Sequence, residues 1–168
     1  SKDEPIDENK TPDFFELFYS RTKIYSEQGV VILSKKYPIL IVRIRVPLDN
    51  QPHPRNLLSK LVTYKKVIAI PNSITYIPDF VSAIRYLIEI GARGVFNMVN
   101  KGSLRYPELM DIYKKYVPGF KYEVVAFKRL NAVRTNLILS TEKLENSGFK
   151  IRNIHEVLEE CVQEYIKY

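Results

Sequence analysis

Apolar side chains recur at helical spacing near the start of the chain. Phe15, Phe18, Thr22 and Tyr25 follow one another at intervals of three, four and three, which predicts a helix over 13–35 with one common face. Thr11-Pro12 supplies an N-cap and a proline at the first helical position. The next run, Ile39 to Val46, is β-branched and almost continuous at its start. That is the pattern of a strand covered on both faces of a parallel sheet, and Pro47 closes it. Further on, a short helix over 55–64 precedes a small strand over 67–70. Pro78-Asp79 opens a helix that Gly91 ends, and 94–99 reads as a strand. Pro107 begins a helix that stops at Pro118-Gly119, and 122–127 alternates as a strand. Asn153-Ile154-His155-Glu156 launches the last helix, with Asn as N-cap and an acidic residue at the third helical position. Strands alternating with helices give an α/β fold.

Composition narrows this picture without deciding it. At 168 residues, with 45% hydrophobic and 27% charged residues, the chain can bury one core. No apolar run reaches membrane-span length, and a cytoplasmic protein is expected. The one cysteine, Cys161, excludes an internal disulfide and a cysteine metal cluster; it reads as a small apolar residue of the last helix, and no metal site is expected. Residues 1–10 are acidic and aperiodic, a loop or frayed terminus. The net charge of +7 is uneven: 17–141 carries 20 basic and 7 acidic residues, and both ends are acidic. Such a middle suits a polyanion, either nucleic acid or the diphosphate of a sugar nucleotide. No nucleic-acid motif supports the former.

One spacing carries chemistry. Tyr19 and Lys23 stand four residues apart on the first predicted helix, one turn apart on one face. There an ammonium can lower the phenol's pKa and ready it for proton transfer. Chance alone supplies about one such pair in a chain of this composition, so context must decide. The context is a helix, a buried strand, a proline and a polar loop, the order found around the active-site Tyr-x-x-x-Lys of short-chain dehydrogenase/reductases.

Four downstream segments sharpen the resemblance: Arg43-Ile44-Arg45-Val46-Pro47-Leu48, Pro54-Arg55-Asn56-Leu57-Leu58-Ser59-Lys60, Ile70-Pro71-Asn72-Ser73 and Arg93-Gly94-Val95-Phe96-Asn97. In this order they resemble the C-terminal half of the nucleotide-4-keto-6-deoxyglucose 3,5-epimerase/4-reductases, within the dTDP-4-dehydrorhamnose reductases of the extended short-chain class. The resemblance implies the C-terminal part of a Rossmann fold plus its small substrate-binding lobe. It divides the chain into an acidic loop (1–12), the Tyr-x-x-x-Lys helix with its strand (13–47), and the lobe with the C-terminal helices (48–168). The six glycines make no G-x-x-G-x-x-G, so the N-terminal cofactor-binding half is expected to be absent.

By resemblance, Tyr19 protonates the 4-keto oxygen and Lys23 binds the nicotinamide ribose of NADPH or NADH, with Val46 and Pro47 beside the cofactor. Lys60 matches an acid/base lysine of 3,5-epimerisation, with His53 a lesser candidate. Arg55, Asn56, Arg134 and Asn136 match segments that meet a UDP- or dTDP-linked 4-keto-6-deoxy sugar. Superfamily habit implies a homodimer formed through the first helix. The alternative is a non-catalytic regulatory or binding module built on the same fold.

Overall fold

The computed structural model describes residues 4–126 and 136–168. Its first helix, α1 (Phe18–Ser34), is followed by β1 (Leu40–Arg43), β2 (Pro47–Leu48) and α2 (Leu57–Tyr64). Then come β3 (Lys66–Val67), β4 (Thr75–Tyr76), α3 (Ile77–Glu89), β5 (Gly94–Asn97) and α4 (Tyr106–Tyr116). The described chain closes with β6 (Glu123–Val124), α5 (Glu142–Asn146) and α6 (Ile154–Tyr165). All strand pairs are parallel: β1 with β5, β2 with β4, and β3 with β6. Parallel pairing needs crossovers, and α2 and α3 lie on the path from β1 to β5.

Two apolar clusters hold these elements. Leu48, Leu58, Leu109, Met110, Leu158 and Cys161 join α2, α4 and α6 around β2. Ala83, Leu87, Phe96, Met98, Leu144 and Ile151 seat α3 and α5 against β5, with Leu40 and Val42 of β1 at the margin. Burying such a side chain is worth about 1.5–3 kcal/mol, so these two clusters carry much of the stability of the described chain.

Three expectations change. α1 starts at Phe18, with Leu17 as an N-cap that makes no side-chain bond, and Thr11-Pro12 lies in the preceding loop. The chain there is committed elsewhere: Asp7 accepts N–H bonds from Asn9 and Lys10, and Lys10 pairs with Asp13. The acidic start is not frayed over its described part. Ile6 donates to the Ile138 carbonyl at 2.8 Å and accepts from Ser140 at 2.9 Å, a parallel bridge to Leu139.

The long strand expected over 39–46 is also cut short: β1 covers only Leu40–Arg43, and a second strand, β2, starts at Pro47, the residue expected to close it. β1 ends at Arg43, and Val46 takes a φ of +32°, a conformation that a β-branched residue before proline rarely adopts. Thr75 braces the break: its N–H donates to the Arg45 carbonyl (2.8 Å), and its hydroxyl accepts the Arg45 N–H (3.0 Å). The bend lets β1 pair with β5 and β2 with β4. All four residues of β1 are only half-buried, so the double cover expected of it is partial among the described residues.

Candidate active site

Arg43 and Asn97 end β1 and β5 and face each other in register, so they mark the carboxyl edge of this parallel pair. In open α/β sheets ligands bind beyond that edge. Three segments converge on it. The loop over 6–10 arrives first: Glu8 Oε1 accepts the Asn97 N–H at 2.7 Å, and the fully buried Asn97 amide donates to the Ile6 and Ser140 carbonyls. The segment over 137–140 runs beside it, held by Asn72 and Ser73. Leu137 N–H donates to Asn72 Oδ1, Leu139 N–H to Ser73 Oγ, and Ser73 N–H to the Leu137 carbonyl. Arg45 reaches the same Asn72 oxygen with Nη2 at 3.1 Å, and burial lowers its pKa.

α1 is the third segment. Tyr19 is 69% exposed and Lys23 is exposed on the same face, with the ammonium 5.6 Å from the centre of the Tyr19 ring. The two side chains share one exposed face of α1, as a spacing of four residues on a helix dictates. Val46 and Pro47 lie at the strained break beyond β1, Val46 half-buried and Pro47 exposed.

The loop before α2 is built around Asn56, which is 3% exposed. Its Oδ1 accepts the N–H groups of Leu58 (3.2 Å) and Asp49 (3.1 Å). Its Nδ2 donates to the carbonyls of Asp49 (2.8 Å) and Gln51 (2.9 Å). That fills all four positions of the amide. Its side chain therefore holds the loop, with nothing left to offer a ligand, and the exposed Arg55 beside it keeps its guanidinium at the surface. His53 Nδ1 accepts the Arg55 N–H at 3.1 Å, which puts the ring proton on Nε2. Lys60 is exposed on α2, and Asn136 is exposed at the start of its described segment. Arg134 lies outside the described residues.

Several site-building residues escaped sequence reasoning. Asn72 and Ser73 were visible only as parts of a matching segment, and Glu8 and Glu27 not at all. An arginine inside an apolar run was the available signal, because Arg43 could be half-buried there only with a partner. Among the described residues no three His, Cys, Asp or Glu side chains stand together as a metal site, and no helix is long and apolar enough to cross a membrane.

No protein-family model matches the chain. It is 31% identical over 157 residues to the trifunctional UDP-glucose 4,6-dehydratase/UDP-4-keto-6-deoxy-D-glucose 3,5-epimerase/UDP-4-keto-L-rhamnose-reductase of Arabidopsis thaliana. That alignment takes in 90% of this chain and 23% of the relative. The UDP-rhamnose synthase of Acanthamoeba polyphaga mimivirus superposes with a TM-score of 0.87 at 26% identity, covering 98% of this chain and 58% of that one. The chain is homologous to part of these rhamnose-forming enzymes. A dTDP-4-dehydrorhamnose reductase of Bacillus anthracis, solved with NADP, shares the fold at a TM-score of 0.76 and 23% identity, over 99% of this chain and 61% of that one. The short-chain reductase fold expected from the sequence is thus the fold observed, and the chain spans about a quarter of the plant relative.

The described residues fit one end of a nicotinamide cofactor. Tyr19 and Lys23 offer a hydroxyl and an ammonium on one exposed face, the donors a ribose needs. They include no glycine-rich turn between a strand and a helix N-terminus for the pyrophosphate.

Proposed function

We propose that this chain carries the proton-donating helix and the sugar-nucleotide lobe of an NADPH- or NADH-dependent reductase. Its substrate is a UDP- or dTDP-linked 4-keto-6-deoxyhexose, and the product belongs to rhamnose biosynthesis. The observation that carries the proposal is the Tyr19–Lys23 pair, exposed together on a helix tied to the carboxyl edge of β1 and β5. The relatives' activities support it. When bound, the cofactor supplies the hydride.

The chain's own residues do the rest. Tyr19 donates its phenolic proton to the 4-keto oxygen as charge develops there, and Lys23 holds the ring in place and favours the phenolate that remains. Arg55 and Arg134 offer guanidinium forks to the diphosphate. Asn56 keeps the Arg55 loop in place, and Asn136 adds an exposed amide. Lys60 is the acid/base group where 3,5-epimerisation accompanies reduction. Val46 and Pro47 shape the turn beside the nicotinamide. The complete enzyme is a cytoplasmic homodimer formed through α1, whose exposed Phe18, Tyr25, Ile32 and Leu33 suit a protein partner.

Oxidation of NADPH or NADH, followed by absorbance with a UDP-4-keto-6-deoxyhexose and the complete protein, tests this reading. Sugar-nucleotide-dependent turnover supports it. Sugar-nucleotide binding without turnover would instead favour a binding or regulatory module.

A further inference from the structure

Within the described chain α1 buries one side chain, Ile24, although apolar residues lie on several of its sides. Packing within the described chain therefore does little to fix its rotation about its own axis. A polar contact does so instead. Arg43, at the end of β1, grips Glu27 with both prongs of its fork, Nη2 to Oε1 at 2.6 Å and Nε to Oε2 at 3.1 Å. The two side chains are 16% and 18% exposed, sheltered enough for the pair to resist screening. A two-pronged bond fixes the mutual orientation of both groups as well as their separation, which a lysine cannot do.

The same guanidinium faces a second way. Its Nη1 donates to the carbonyls of Lys10 (3.2 Å) and Glu8 (3.4 Å), in the loop that leads into α1. Glu8 is in turn bound to the Asn97 N–H, opposite Arg43 in the strand register. One side chain thus joins the edge of the sheet, the approach to α1 and the middle of α1.

We propose that Arg43 is a positioning residue for the Tyr19–Lys23 pair, with Glu27 as its anchor on the helix. This rests on the reductase reading above. Glu27 follows Tyr19 by eight residues, so freeing it lets α1 turn and sweeps the phenol sideways. A turn of about 20° moves an atom about 6 Å from the helix axis by roughly 2 Å. Misplacement of about 1 Å can cost on the order of 10²-fold in rate.

The test uses Arg43→Lys, Arg43→Ala and Glu27→Gln in the complete protein, each checked for a cooperative thermal transition. Loss of the clamp should lower kcat for ketone reduction about 10–100-fold, with KM for the sugar nucleotide changed by less than about twofold, because alignment is lost and binding is not. Millimolar guanidinium ion should restore part of kcat to Arg43→Ala and none to Tyr19→Phe. A folded Arg43→Lys enzyme with kcat within about twofold of wild type would overturn the proposal. Hydrogen exchange gives a second readout that needs no turnover. In Arg43→Lys the amides of Ile6 and Ser140 and those of α1 around Glu27 should exchange faster, while α6 is unchanged; unaltered exchange at those sites would also overturn it. A wild-type protein without ketone reduction would remove the reductase reading, and exchange would then decide the clamp by itself.

Discussion

Replacing Asn56 with alanine strikes the loop that presents Arg55. The substitution removes the side-chain cap of α2, an N-cap loss of about 1 kcal/mol. It also deletes the bond from Asp49 N–H and the donations to the Asp49 and Gln51 carbonyls. Each such bond contributes a net 0.5–1.5 kcal/mol, roughly, and the loop is open enough for water to replace some of them. The expected loss is about 3–4 kcal/mol in total. For a chain of this size that corresponds to a fall in Tm of roughly 6–16 °C. Asn56→Asp keeps the acceptor for Leu58 and Asp49 but turns two donations into contacts between a carboxylate and carbonyl oxygens, so it should not rescue stability. Thermal unfolding followed by circular dichroism, with a urea titration to confirm an unchanged m-value, measures both variants. A fall of less than about 2 °C for Asn56→Ala would show that the amide does not hold the loop, and Asn56 would return as a candidate substrate contact.

Three further outcomes follow from local physics. The hydrogen bond from Arg152 holds the Glu160 carboxyl below its ordinary 4.5, and Lys101 does the same for Glu145. Their folded pKa values are depressed, so their stabilisation is complete above pH 4.5 and is lost as pH falls through the folded values. Tm measured from pH 6 to pH 3 should therefore drop below about pH 4.5, and Glu160→Gln should flatten that slope; parallel curves would contradict this. Burial pushes the Cys161 thiol up to about 12, so the native protein should resist thiol-specific reagents at pH 8 and react only once unfolded. Lys65 closes α2 with a φ of +53°, so Lys65→Gly should raise Tm by about 2–4 °C, provided the carbonyl bond to Glu123 N–H survives; a fall in Tm would show that its side chain contributes more than its backbone conformation costs.

Much of the fold was legible where local signals agreed with tertiary demand. Asn153 and Glu156 form the capping box that their spacing announces, and α6 begins after it. Pro78 and Gly91 bracket α3, and Asn56 caps α2. Legibility failed where long-range bonds won. Thr11-Pro12 is a sound helix start in isolation, but Asp7, Glu8 and Lys10 bind Arg43, Asn97 and one another, and the helix waits until Phe18. The apolar run over 39–46 carries no mark of the break at Val46, which Thr75 braces through Arg45, 30 residues before it. α5 is five residues long, too short to display a period. In the candidate site the Tyr19–Lys23 pair was readable because it lies within one helix turn. Arg43, Glu27 and Glu8 were not, because their partnership is made by the crossover of the chain.

In the proposed reaction Tyr19 donates a proton to a 4-keto sugar nucleotide. The most direct test compares Tyr19→Phe with the wild type in the complete protein, following NADPH oxidation and sugar-nucleotide binding side by side. The hydroxyl is deleted while the ring stays, and the exposed position makes no demand on the core. Turnover should fall by about 10²–10⁴-fold with sugar-nucleotide affinity nearly intact. Turnover within about threefold of wild type would take Tyr19 out of the mechanism.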